Sequence, residues 1–233
     1  MNKLLILWFW IVLPSCLFAW ERKSDTTLYV GIQGGMSYCG WRNFFDEYKH
    51  RLLPDYNIFA EFQPTREFSL RGGIGNTTKG ISYRYTFYDV LHNPFDTSAF
   101  INLNYLTLPF TACYNLGRRF NPYLGVGFEL NFLTKSRHFA RLPETRNGIE
   151  VEPFDNEIKD FYKNFDICLL AEAGFDYLIK PDFVVFIQAR YHYSLLSIYK
   201  DSEAIPGGNL VKNNAIAINA GIKIGIPIKY TVY

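Results

Sequence analysis

Beyond its first 13 residues this 233-residue chain has no run approaching 18 apolar positions, so no transmembrane helix is written in it. Neither sign of charge is in excess: 24 Lys and Arg stand against 22 Asp and Glu, which argues against an electrostatic nucleic-acid binder. Cysteine is scarce. Outside the N-terminal segment only Cys39, Cys113 and Cys168 occur, widely spaced and odd in number, which excludes a disulfide framework and shows no metal-ligand spacing. Isolated, partly buried thiols are the plain account of them. No helical period can be traced, and Gly31-Ile-Gln-Gly-Gly35 is no phosphate loop because no helix follows it.

What the chain does have is aromatic residues, 18% of the total, set into stretches that alternate with a period of two. Between Ile187 and Leu195 the odd positions are Ile187, Ala189, Tyr191, Tyr193 and Leu195, and the even ones Gln188, Arg190, His192 and Ser194. Such alternation is a strand with two unlike faces. The pattern recurs and predicts eight strands, near 28–38, 55–62, 68–82, 100–114, 123–133, 165–179, 183–198 and 213–224. The fourth contains Pro109 and alternates ambiguously, which predicts a bulge or register shift within it.

The connections alternate in length. Residues 63–66, 115–121 and 180–182 are short turns, whereas 39–53, the stretch ending near Ser98, 134–164 and 201–212 are long and polar. An antiparallel meander closed on itself would gather the long loops at one end and the short turns, with both termini, at the other. This predicts an all-β fold, an eight-stranded antiparallel up-and-down transmembrane β-barrel with periplasmic turns and long extracellular loops.

Alternation alone is equally compatible with a soluble ligand-binding barrel whose apolar row faces inward. Three features favour the membrane. The polar row is rich in glycine (Gly31, Gly35, Gly73, Gly75, Gly125, Gly127, Gly174 and Gly221), as the crowded interior of a small barrel requires. Charges on that row are few. Aromatic residues gather near the strand ends of the apolar row, at Tyr38, Tyr56, Phe62, Phe68, Tyr114, Phe132 and Tyr177, where interfacial girdles belong. The lumen then receives Glu61, Arg71, Lys79, Glu129, Glu172, Asp176, Arg190, His192 and Lys223. Buried charges persist when paired, so a salt-bridged plug is expected, with Glu172 and Asp176 pairing with Arg190 or Lys223. A lumen of this size is filled by side chains, which argues against a general diffusion pore.

Residues 1–19 read as a secretory signal peptide: Met1-Asn2-Lys3, an apolar run from Leu4 to Leu13, and Ala19 before the cut. Leu13-Pro14-Ser15-Cys16 loosely resembles a lipidation signal, although the proline and the apolar residues beyond Cys16 favour ordinary cleavage. The barrel domain is then 20–233, in the outer membrane of a Gram-negative cell. Its terminal Tyr233 suits the outer-membrane assembly machinery.

Several segments carry a family resemblance across nearly the whole mature chain. Val30-Gly-Ile-Gln-Gly-Gly-Met-Ser-Tyr38, Phe68-Ser-Leu70 through Lys79-Gly80, Tyr105-Leu-Thr-Leu-Pro109, Pro122-Tyr-Leu-Gly-Val-Gly127, and Arg190-Tyr191 with Leu195 and Ile198 stand in the order found in PorT-like outer-membrane β-barrel proteins of Bacteroidota. The chain resembles that family, which implies an outer-membrane barrel and a link to protein secretion. Thr107 departs from the acid usual in the third motif, as do the positions of a glycine and an asparagine in the last.

One triplet hints at catalysis. His192-Tyr193-Ser194 resembles the His-x-Ser pair of outer-membrane lipid A deacylases, where histidine activates serine against an ester. Both side chains fall on the lumen row, away from a lipid substrate, so lumen packing is the favoured reading. The sequence therefore points to a non-enzymatic structural or interaction protein without cofactor. Its partners are outer-membrane lipids and an envelope protein met through the surface loops. A lipid-modifying hydrolase and a small apolar-solute transporter are the alternatives.

Overall fold

The structure, a computed structural model, describes residues 26–42, 48–88, 94–117, 119–140, 145–146, 149–150, 155–180, 182–200 and 211–228. The signal segment, Cys16 and Tyr233 lie outside these.

The chain forms β1 (Thr27–Arg42), β2 (Tyr48–Gln63), β3 (Phe68–Tyr88), β4 (Pro94–Asn115), β5 (Phe120–Ala140), the short β6 (Thr145–Arg146), β7 (Ile149–Glu150) and β8 (Asp155–Glu157), then β9 (Phe165–Lys180), β10 (Phe183–Ser194) and β11 (Lys212–Pro227). One 3-10 turn, Lys159–Phe161, precedes β9. Long strands pair antiparallel with their neighbours, β5 with β9, and β1 pairs with β11 from Thr27↔Pro227 to Arg42↔Lys212. The ring is closed, with eight strands and no open edge along its circumference. Around the membrane band closure gives each strand a hydrogen-bonded neighbour on both sides, the condition for a strand structure in lipid.

Polarity along the wall falls into two zones. In the lower zone the outward row is apolar and exposed, including Val30, Ile32, Ile58, Ile74, Val126, Ile187 and Ile218, while the inward row is polar and buried. Aromatic pairs mark both limits of this band: Phe120 with Tyr177 at 4.9 Å near the short turns, and Phe132 with Phe165 at 5.3 Å above. Above the upper pair the two faces exchange character. Trp41, Ile81, Ile101, Leu103, Tyr105 and Leu133 now point inward and are buried. Thr134, Lys135 and Arg137 point outward and are exposed. The same strands thus obey two solvents: apolar groups turn out where hydrocarbon surrounds the wall, and in where water does.

That exchange corrects the strand limits read from sequence. Much of 39–53 and of the segment ending near Ser98 reads as polar loop but belongs to β1, β2, β3 and β4. Only residues 43–47 and 89–93 separate β1 from β2 and β3 from β4 in the sequence, so the longest stretches between ring strands are 141–164 and 195–211. The register shift expected in the fourth strand is present between Asn104 and Tyr105, in its ladder with β5, and not at Pro109. β4 alternates without a break from Ala99 to Asn115, and Pro109 is one of its inward residues. The extra residue is in β5: Tyr105 faces Leu133 but Asn104 faces Lys135, with Thr134 and Lys135 both exposed. β4 looks ambiguous because its inward row changes from polar to apolar partway along.

Candidate functional site

The inward rows converge on a layered ionic core. Nearest the short turns, Lys223 Nζ lies 2.9 Å from Glu61 Oε2 and 2.8 Å from Asp176 Oδ2. Glu61 also accepts from Arg71, Nη2 to Oε2 at 2.8 Å, and the two residues are direct partners in the β2–β3 register. The Arg71 guanidinium is the hub of the next layer. It donates to Gln188 Oε1 at 2.9 Å, reaches Glu172 Oε1 at 3.4 Å, and lies over the ring of Phe59 at 4.9 Å. Arg190 Nη2 meets Glu172 Oε2 at 2.9 Å, again between register partners, here on β9 and β10. Higher up, Glu129 Oε1 stands 3.4 Å from Lys79 Nζ and 3.2 Å from His192 Nδ1.

Each of the nine lumen residues named from sequence is thus buried inside the ring and lies within ion-pair distance of another. Two acids of the same row are missing from that set. Asp55 accepts from Thr77 Oγ1 at 2.7 Å and from Asn219 Nδ2 at 2.9 Å. Asp166 accepts from Ser194 Oγ at 2.7 Å. Both fall on the polar row of their strands, so alternation alone could have placed them. With them the buried lumen holds six carboxylates (Asp55, Glu61, Glu129, Asp166, Glu172, Asp176) against four permanent cations (Arg71, Lys79, Arg190, Lys223) and His192.

The glycines make this density attainable. A Cβ on Gly31 would stand 2.5 Å from the Phe59 ring, and one on Gly174 would stand 2.6 Å from the Tyr123 ring. Large side chains therefore fold flat over bare backbone, as a narrow barrel demands. A gap among the described residues between Gln33, Asn57, Arg71 and Arg190 has no room for a water molecule.

Above the ionic layers sits an apolar cap. Trp41, Ile81, Ile101, Leu103, Tyr105 and Leu133 from the wall pack with Tyr162, Ile198 and Val211, which come from or border the two wide connections. Those connections are tied by a β-bridge between Tyr162 and Tyr199, by Lys163 N–H donating to the Ile198 carbonyl at 2.8 Å, and by Ile198 N–H donating to Val211 at 2.9 Å. Burial pushes the Tyr162 hydroxyl well above the usual phenol range, so it stays neutral.

His192 and Ser194 each turn to a different carboxylate. Ser194 Oγ donates to Asp166 and approaches the Leu196 carbonyl at 3.1 Å, while His192 faces Glu129. Both are buried in the lumen. Among the described residues no three His, Cys, Asp or Glu side chains converge as metal ligands.

A closed ring of eight strands with an apolar outer band, a paired ionic interior and aromatic limits is the architecture of a small outer-membrane barrel. The chain belongs to the outer membrane protein beta-barrel domain family, whose model matches residues 21–200. No curated protein matches it in sequence. Among solved structures it is similar to Neisserial surface protein A, at 16% identity and a TM-score of 0.47, over 84% of this chain and 96% of that one. It is similar to Ail, the attachment invasion locus protein of Yersinia pestis, at 12% identity and a TM-score of 0.43, over 85% of this chain and 99% of that one. OprG from Pseudomonas aeruginosa gives 11% identity and a TM-score of 0.46, over 89% of this chain and 98% of that one. These are likenesses of strand arrangement and say nothing of activity.

Proposed function

We propose that this barrel is a non-enzymatic interaction protein of the outer membrane, exported by a signal peptide cleaved after Ala19, with its extended rim on the cell surface. The observation that carries the reading is the double filling of the interior. Ion pairs occupy the lumen across the membrane band and an apolar cap covers it, so a solute path and an accessible catalytic pair both lack support. The rim, by contrast, is heavily built, with β3, β4 and β5 reaching 21, 22 and 21 residues against 16 or fewer in the other ring strands. Such extra wall does not serve the span, which needs only about 9–11 residues per strand.

The resemblance to PorT-like proteins supports a finer proposal, that the partner belongs to a protein-secretion assembly. Deleting the gene and comparing exported proteins with the parent strain tests this. Export at the parental level removes the secretion link, and loss of surface cleavage within 141–164 by protease on intact cells removes the surface-facing rim.

A further inference from the structure

Two outward-facing cations of the rim lack the partners that others have. Arg84 is ion-paired with Asp96, and Arg137 with Asp155. For Arg42 and Lys212, no carboxylate lies within ion-pair distance among the described residues. Yet the two stand directly opposite each other, Arg42 on β1 and Lys212 on β11, in the ladder that closes the ring. Both point outward, because Cys39 and Trp41 on one strand and Asn213 and Ala215 on the other fill the inward rows. Like charges facing each other across a strand pair cost stability. An anion lying between them removes that cost.

Their position narrows the choice of anion. On the same two outward rows the apolar band ends at Tyr38 and Ile216, register partners that are 53% and 51% exposed. Gly40 and Asn214 follow, then the cation pair. Arg42 does not simply extend into water from there. Its side chain crosses β11 to β10, where Nη2 donates to the Ser194 carbonyl at 2.7 Å and the guanidinium lies over the Tyr193 ring at 3.8 Å. Tyr193 belongs to the outward apolar row of β10. The guanidinium is thus held at the upper border of the membrane band, and its Nε has no hydrogen-bond partner. A fixed planar donor above an apolar, aromatic surface suits a phosphate whose lipid chains run down that surface.

We propose that Arg42 and Lys212 form a binding site for the phosphate of an anionic membrane lipid, with its acyl chains along Tyr38, Tyr193 and Ile216. The phosphate accepts from the guanidinium and the ammonium together, and so turns a repulsive register pair into a bridged one. Lys49, exposed on β2 at the other flank of β1, adds to the positive field. The proposal rests on the reading of the chain as an outer-membrane barrel, and gives it a lipid class and a place on the wall.

The test uses the full barrel in maltoside micelles, which carry no charge. Short-chain phosphatidic acid, or phosphatidylcholine with the same chains, is titrated in while amide chemical shifts are followed at 40–42, 192–194 and 212–214. Phosphatidic acid should bind at least about tenfold more tightly than phosphatidylcholine. Arg42→Gln with Lys212→Gln should remove that preference. Lys135→Gln with Lys180→Gln removes as much charge elsewhere and should keep it. Heat-modifiable gel migration like that of the parent protein shows that both variants are folded. The proposal is overturned if the parent protein binds the two lipids alike, or if the second pair of substitutions abolishes the preference as well. Inorganic phosphate that shifts the same amides as strongly as the lipid also overturns it, since the site then takes a free anion. So does a preference that appears only after Asp46→Asn with Glu47→Gln, since the chain's own acids then hold the cations. Parental export on deletion of the gene leaves a positive result standing, so the two readings fail separately.

Discussion

Glu61 and Arg71 face each other across the β2–β3 hairpin in register, and their side chains join at 2.8 Å inside the wall. The same guanidinium reaches Glu172 on the far side of the lumen at 3.4 Å. One cation thereby couples a hairpin made locally to a strand a hundred residues later.

Arg71 should consequently be the least replaceable lumen residue. Arg71→Met leaves Glu61 and Glu172 short of a buried partner, and the expected loss is about 3–5 kcal/mol. Urea unfolding of the barrel in vesicles, followed by heat-modifiable gel migration, measures it. Restoring stability by Arg71→Met with Glu61→Leu together would show that the loss is an unpaired charge rather than lost packing.

This layer shows what was legible before the structure and why. Pairs on adjacent strands joined by tight turns, Glu61 with Arg71 and Glu172 with Arg190, follow from alternation plus turn position, because a short hairpin fixes register. Lys223 with Glu61 and Lys79 with Glu129 join strands that are not neighbours in the ring, and only closure brings them together. The rim is not legible in the sequence for a different reason. At Ile101, Leu103 and Tyr105 the apolar row faces inward, whereas lower on β4 Phe110 and Tyr114 put the aromatic row outside. A single rule of polar-in cannot cover a strand that leaves the membrane.

The cap and the lumen make separable predictions. Trp41 is fully buried, with the Tyr162 ring at 6.2 Å and the Tyr199 ring at 5.9 Å. Trp41→Ala should cost about 3–5 kcal/mol and speed amide exchange in 158–163 and 195–200. It should not open a channel, since the ionic layers below remain. Conductance of the variant across a planar bilayer at the level of the parent protein is the expected outcome.

Ser194→Ala removes the hydroxyl that Asp166 accepts from, leaving a buried carboxylate without that donor. A loss of about 1–3 kcal/mol follows. Lipid A acylation in cells producing the parent protein or the variant should be the same. A difference between them would revive the hydrolase.

The rim should respond to acid. His138 is half-buried, and its Nε2 lies 2.6 Å from the Tyr83 hydroxyl. Burial lowers its pKa below the ordinary value of 6.5, so the folded rim prefers neutral imidazole. The sign follows from linkage: no cost arises above the ordinary value. As pH falls through that value toward the lowered one, the unfolded rim binds the proton first and the folded rim is disfavoured. Amide protection at 136–140, corrected for the intrinsic pH dependence of exchange, should fall as pH drops below ~6.5, and His138→Phe should flatten that dependence.

One substitution made twice tests the exchange of faces at the upper aromatic pair. Val126 is 67% exposed in the middle of the outward apolar band, and Asn102 points outward on β4 above it. If hydrocarbon bathes the first and water the second, Val126→Arg costs about 2–4 kcal/mol and Asn102→Arg about 0–1. The same comparison made in detergent micelles, whose apolar zone adapts to the wall, should shrink the difference. Equal costs at both positions in vesicles would place the membrane limit above Asn102. The inward row Ile101, Leu103 and Tyr105 would then need a reason other than water outside the wall.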